Sequence, residues 1–264
     1  ANLMAVAHYL DALAWQRDVV KLHAIFGGKN PHPNFVVGGV PSAISVQSGA
    51  GPGKGPHYRG GQDATALNMV GLQTVQNVIR QMREFVDQVY LPDTLAIAGF
   101  YKDWAGRGEG LGNFLSFGDL PSKGFWDTDS YLIPRGVILN RDLTKIHPID
   151  LDADNEIQEF VSHAWYKYSQ GDEGGLHPFR GETELNYTGP KPPYQHLDVE
   201  KKYSWMKSPR WQGRPMEVGP LARVLMLYAG GNAQARELVD ASLKTLGLPV
   251  AALFSTLGRT AART

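Results

Sequence analysis

An arginine held between a proline and a tryptophan, Pro209-Arg210-Trp211, is the strongest chemical group in this sequence. It heads the run Ser208-Pro209-Arg210-Trp211-Gln212-Gly213-Arg214-Pro215-Met216-Glu217-Val218-Gly219-Pro220-Leu221-Ala222-Arg223. A guanidinium keeps its charge at any accessible pH and presents a planar fork of N–H donors, so it suits polarising or clamping a bound group better than ordinary base catalysis. The polar half of the run reads as a loop and the apolar half as a helix, which would hold Arg210 on a loop anchored to something rigid. In a purely structural role the same guanidinium would lie on Trp211.

Other residues offer weaker chemistry. His32, between two prolines in Lys29-Asn30-Pro31-His32-Pro33-Asn34, sits on a loop stiffened by fixed φ angles and could be a ligand, a proton carrier or polar surface. Asp150-Leu151-Asp152-Ala153-Asp154-Asn155 opens like a calcium loop. It has Asn155 in place of the sixth-position glycine and Val161 in place of the twelfth-position glutamate, so a helix N-cap by Asp152 or Asp154 leading into Glu156–Tyr166 accounts for it more simply. Gly53-Lys54 is followed by Gly55, and Ser48 stands at the required upstream glycine, so no phosphate loop forms. Gly106-Arg107-Gly108-Glu109-Gly110-Leu111-Gly112 does not fit a dinucleotide fingerprint. Zinc-protease helices, serine elbows and cysteine nucleophiles are absent.

The 264 residues contain no cysteine, which removes disulfides, thiolate catalysis and cysteine-ligated metals from this chain. With 26 basic and 26 acidic residues there is no charge excess to favour nucleic acid or an anionic membrane. No apolar run of about 18 residues or more is present to span a bilayer. The opening Ala1-Asn2-Leu3-Met4 lacks the basic n-region of a signal peptide.

The elements that must position these groups read as mainly α with some β. Leu3, Val6, Leu10, Leu13, Val20 and Ile25 mark a helix over residues 2 to about 26, stopped by Gly27-Gly28. Phe35-Val36-Val37 reads as a short strand or buried connector. Residues 47–65, rich in glycine and proline, read as a flexible surface insertion. Leu72, Val75, Ile79, Met82, Val86 and Val89 alternate three- and four-residue steps on one face of a long bundle helix over 66–90, with Pro92 as its stop. From about 98 to 210 short strands and long loops are expected, with weak alternation at Tyr131 to Leu139. Two helices close the chain, Val218–Tyr228 and Ala233–Leu246, separated by Gly230-Gly231. The whole of residues 1–264 is expected to form a single domain.

The Ser208–Arg223 run closely resembles a segment of the large subunit of uptake-type, membrane-bound nickel–iron (NiFe) hydrogenases. The likeness extends to Phe26-Gly27-Gly28-Lys29-Asn30-Pro31-His32-Pro33-Asn34, to Ser162-His163-Ala164-Trp165-Tyr166 and to Ser255-Thr256-Leu257-Gly258-Arg259-Thr260-Ala261-Ala262-Arg263, in the family's order and across nearly the whole chain. The resemblance implies a large-subunit-like α+β fold and heterolytic oxidation of H2 to protons and electrons. It implies a nickel–iron centre with cyanide and carbon monoxide ligands, held by two C-x-x-C pairs near the ends of the full polypeptide; this chain has neither pair and supplies no metal ligand. It places Arg210 over the open side of the metals, where a guanidinium would polarise hydrogen, with Pro209 walling the same pocket. Glu217, Arg223 and His32 would be supports there or residues with a purely structural role, the structural role being favoured for each.

Implied partners are the cysteine-bearing N- and C-terminal segments and a small subunit whose iron–sulfur clusters carry electrons away. The resemblance also implies a periplasmic location, on the membrane only through partners. Two alternatives stay open: a metal-free relative such as the quinone-binding subunit of respiratory complex I, and a non-catalytic scaffold.

Overall fold

The structure is a computed structural model that describes residues 2–27, 36–37, 40–41, 43–44, 66–67, 69–102, 110–123, 130–189 and 202–249. His32, the 47–65 insertion and the 255–263 segment lie outside these residues. The chain gathers into two compact units, Ala1–Phe100 and Tyr101–Thr264.

In the first unit, helix α1 (Asn2–Val19) passes through a turn at Val20 into α2 (Lys21–Gly27). Two short antiparallel strands, β1 (Val36–Val37) and β2 (Val40–Pro41), pair together. Strand β3 (Ala43–Ile44) runs parallel to β4 (Ala66–Leu67). Helix α3 (Met69–Phe85) follows, but Pro92 does not stop it. A π-helical turn over Val86–Tyr90 leads directly into α4 (Leu91–Phe100). In that turn the Leu91 N–H donates to the Val86 carbonyl, five residues back. The proline ring would otherwise collide with the carbonyl one turn earlier, and the widened turn lets the helical path continue past it.

Helix α1 runs antiparallel to α3 and α4: Trp15 stacks on Phe85 with ring centroids 5.4 Å apart, and His8 Nδ1 meets Asp93 Oδ2 at 2.7 Å. The apolar stripe expected to be core is turned elsewhere, since Val6, Leu10 and Leu13 stay 42–58% exposed. On α3, Val75 is buried as expected, but Leu72, Ile79 and Met82 are exposed, as is Val86 in the π turn.

The second unit is organised on a hairpin of β5 (Phe114–Pro121) and β6 (Tyr131–Ile138), in register from Phe114↔Ile138 to Pro121↔Tyr131. Alternate residues of a strand face opposite sides, and both sides of this end are buried. Phe114 and Ile138 pack with Leu143, Ala222, Leu225, Met226 and Tyr228, whereas Leu115 and Val137 pack with Ile157, Trp211 and Met216. Each such fully buried aliphatic side chain contributes roughly 1.5–3 kcal/mol.

Helices α5 (Pro220–Ala229) and α6 (Ala233–Thr245) cover the first side. Pro220 occupies the first helical position of α5, where a missing N–H costs nothing. Asn232 caps α6 by accepting the Ala235 N–H at 3.0 Å. The second side meets a four-stranded sheet ordered β12 (Arg214–Pro215), β11 (Ser208–Trp211), β7 (Ile157–Phe160), β9 (Gly175–Leu176). Strands β8 (Tyr166–Lys167) and β10 (Glu184–Leu185) pair separately. The helix expected from Glu156 is not formed. Ile157–Phe160 is instead a strand, because its amides pair with β11 on one side and β9 on the other.

Candidate functional site

Arg210 does not sit on a loop. It lies in β11, opposite Gln158 of β7 and Pro215 of β12. A two-residue turn, Gln212-Gly213, closes the β11–β12 hairpin with φ of 48° and 77°, the left-handed pair that a tight hairpin requires. The signal was present as a glycine at the second turn position, but glutamine is a poor first residue there. Glu156 compensates. Its carbonyl accepts the Gln212 N–H at 2.8 Å, and its carboxylate takes the Gln212 side-chain amide at 2.9 Å and the Trp211 indole N–H at 3.1 Å.

The pleat decides where the guanidinium goes. Trp211 points to the buried side and is 5% exposed, so Arg210 faces the other way and cannot lie on it. It packs instead on Phe160, with the guanidinium carbon 5.2 Å from the ring centroid. Phe160 stands opposite Ser208, so Phe160 and Arg210 are diagonal neighbours on one face, within reach for a ring and a long side chain. Arg210 Nη1 also points at the Pro209 carbonyl, at a long 3.4 Å. Among the described residues Arg210 forms no ion pair. The Pro209 carbonyl accepts the Met216 N–H at 3.2 Å, which fixes the start of the hairpin.

Just before this pair, Lys207 lies 5.7 Å and 5.3 Å from the ring centroids of Tyr166 and Tyr168 and donates to the Glu182 carbonyl at 2.6 Å. The Tyr168 hydroxyl donates to the Glu159 carbonyl at 3.0 Å. Burial, reinforced by the negative charges of Glu159 and Glu182, pushes that phenol up to about 12. Two cations, Lys207 and Arg210, thus flank Pro209 over aromatic rings.

The other residues singled out from sequence have separate partners. Glu217 accepts the Gly112 N–H on its carboxylate at 2.7 Å and bonds through its backbone to Asn113 and Leu115, anchoring the start of β5. Arg223 pairs with Asp119 at 2.8 Å on a half-exposed surface. Asp150, Asp152 and Asp154 do not converge on an ion: Asp150 accepts the Asp152 N–H at 2.9 Å and Asp154 pairs with Arg180 at 2.7 Å. Sequence reasoning passed over Glu156, Lys202 and Lys207, each of which has at least one partner 25 or more positions away.

Residues 1–264 match the family described as nickel-dependent hydrogenase. The chain is 49% identical, over all of its length, to the uptake hydrogenase large subunit of Rhizobium leguminosarum bv. viciae, of which it covers 43%. It is 43% identical to the hydrogenase-1 large chain of Escherichia coli K12, with 98% of this chain and 42% of that one aligned. Among solved structures it is similar to the reduced, active Ni-Fe-Se hydrogenase of Desulfomicrobium baculatum, with a TM-score of 0.62, 25% identity, and coverage of 93% of this chain and 43% of the other. The reduced Ni-Fe-Se hydrogenase of D. vulgaris Hildenborough gives 0.61 at 25% identity, covering 99% and 47%. The chain therefore spans less than half the length of these relatives.

Nickel is the metal the family implies, and the residues here do not fit it. There is no thiolate in the chain, and among the described residues no three histidine or carboxylate side chains gather closely enough to share an ion. No helix among them is long and apolar enough to cross a membrane. A match along the whole chain, on a mixed α+β fold, nevertheless leaves no ambiguity of family: the chain belongs to the nickel-dependent hydrogenases.

Proposed function

We propose that this chain is the central part of the catalytic large subunit of an enzyme that oxidises H2 to protons and electrons, the electrons leaving through an iron–sulfur small subunit on the periplasmic side of the membrane. The observation that carries the proposal is the match of all 264 residues to the family, at 49% identity to an uptake hydrogenase large subunit. In this reading the cysteine ligands of nickel and iron come from polypeptide outside the chain, since the chain has no cysteine. The helices of the first unit support the placement. An α-helix apolar on two sides is an interior helix of a larger bundle, and α1 packs Trp15 inward while exposing Val6, Leu10 and Leu13.

Two roles compete for Arg210. The resemblance would set it, with Pro209, over the open side of the metals. The stack on Phe160 favours a second role, in which the guanidinium ties β11 to β7 and touches no reacting atom.

The test is nickel content by elemental analysis, together with hydrogen-dependent dye reduction, on the full-length subunit purified with whatever accompanies it. About one nickel per chain, the complement of a single metal site, with H2-dependent turnover is expected. A well-folded preparation without nickel or turnover would overturn the reading in favour of a scaffold. Saturable quinone binding by such a preparation would favour the metal-free relative.

A further inference from the structure

The turn that carries His163 and Trp165 closes around a single positive charge. Lys202 Nζ lies 2.9 Å from the Val161 carbonyl, 2.9 Å from that of Ala164, 2.7 Å from that of Tyr166 and 2.8 Å from Asp172 Oδ2. An ammonium has three N–H donors, so four oxygens at these distances exceed what its directional bonds can use. All four lie 2.7–2.9 Å from the nitrogen, on the sides left open by its bond to the side chain. The lysine side chain is only 10% exposed, Asp172 25%, and Val161 and Ala164 are at most 1% exposed, so the charge is mostly shielded from water.

Burial alone would push the Asp172 carboxyl up. The hydrogen bonds from Lys202 and the Tyr168 N–H, with the ammonium charge, bring it below its ordinary value. The arrangement also joins two distant segments. The Trp165 N–H donates to the Ser204 carbonyl at 2.8 Å, its indole N–H to the Lys202 carbonyl at 3.1 Å, and the His163 ring stacks on Tyr203 at 5.5 Å.

We propose that the Val161–Tyr166 turn, with Asp172, is a monovalent-cation site that this chain fills with its own Lys202 ammonium. Three carbonyls and one carboxylate are hard oxygen donors of the kind that replace the hydration shell of potassium. The distances exceed the roughly 2.3–2.6 Å of calcium–oxygen bonds, so the cage fits ammonium or potassium and is too wide for a small divalent ion. The occupant fixes the turn and with it the rings of His163 and Trp165. This inference does not depend on the hydrogenase reading.

The test uses the full-length subunit in its native complex and has two arms. In the first, the wild-type protein is treated with formaldehyde and cyanoborohydride and its peptides are weighed. Lys202 is expected to stay unmodified while the exposed Lys21 is dimethylated; modification of both at equal rates would overturn the cage.

In the second, Lys202→Ala is melted in choline, sodium, potassium and ammonium chlorides at one ionic strength, about 0.2 M, so that general screening is constant. The variant is expected to melt several degrees below wild type in choline. A cation that binds only the folded state stabilises by mass action, so potassium and ammonium should recover at least about half of that loss and sodium little. An equal loss in all four salts, or no folded variant in any of them, would show that only the tethered ammonium serves, and the cation-site assignment would fall.

Discussion

Replacing Arg210 separates the two roles proposed for it, and the structure sets the size of the effect. The guanidinium is half-buried over Phe160 at 5.2 Å, and its second contact, to the Pro209 carbonyl, is long at 3.4 Å. A cation over a phenyl face contributes about 0.5–1 kcal/mol when exposed and about 2 when desolvated, so a half-buried pair should contribute about 1 kcal/mol. The 3.4 Å contact adds little. Arg210→Met, Phe160→Leu and the double variant, measured by thermal melts of the full-length protein, should therefore show a coupling of about 1 kcal/mol. For a unit of this size that is a shift of about 2–4 °C. Arg210→Lys should retain part of the coupling, because an ammonium keeps the charge but not the planar stack.

Hydrogen-dependent dye reduction, normalised to nickel content, is read on the same samples. The structural role predicts turnover within about threefold of wild type for both substitutions. A guanidinium stabilising charge at the reacting centre would instead cost on the order of a hundredfold or more on removal. Coupling below about 0.3 kcal/mol together with a hundredfold loss of turnover would refute the structural reasoning and return Arg210 to the metals.

Gly175 lies beneath the ring that carries this stack, and a Cβ there would run into the Phe160 edge; Gly175→Ala should lower the melting midpoint by several degrees and abolish the Arg210–Phe160 coupling. Gly174→Ala, with nothing within 4 Å, is the control and should leave the midpoint unchanged. Tyr168 titrates about 12 when folded against about 10 unfolded. A raised folded value means the folded state holds its proton more tightly, so this contribution is complete below pH 10 and is lost as pH rises toward 12. Denaturant melts of Tyr168→Phe should lack that alkaline decline and lie about 1 kcal/mol lower at neutral pH, for the lost hydrogen bond to Glu159. Asn232→Ala should cost about 1 kcal/mol by removing the α6 cap, and Asn232→Asp should restore it, as read in the same melts.

The closing helices were legible from residues 218 to 246 because each signal there is local: apolar spacing and Gly230-Gly231 between them; the first begins two residues later than expected, at Pro220. The hairpin strand Tyr131–Ile138 showed its alternation for the same reason. The family was legible too, since the run ending in Met216–Arg223 and the other matching segments lie in order along one chain. Ser208–Trp211 is hard to read as a strand because four residues are too few to display a period, and two prolines within eight residues argue against a strand. Its strand state comes from β7, whose residues pair with it across some fifty positions. The tight turn after it was hidden because glutamine takes the left-handed position that asparagine or glycine would advertise. Glu156, which holds that glutamine in place, reads in sequence as one more acidic residue in an acidic stretch.

Periodicity also has a limit that the first unit exposes. The pattern of α1 finds an apolar stripe, but it cannot say which of two apolar faces meets which neighbour, and the stripe chosen, Val6-Leu10-Leu13, is the one left open. The face that packs carries Trp15 and His8, residues that a hydrophobic count weighs lightly because each has a polar atom. His8 nevertheless meets Asp93 at 2.7 Å with both side chains about two-thirds or more covered. That pair can place α1 against α4 with a specificity that aliphatic packing lacks, since an ion pair or hydrogen bond loses most of its value when its geometry slips. The same principle governs the second unit. Lys202 and Glu156 fix turns that no apolar contact would hold in one place, so their partners decide where His163, Trp165 and Arg210 are presented.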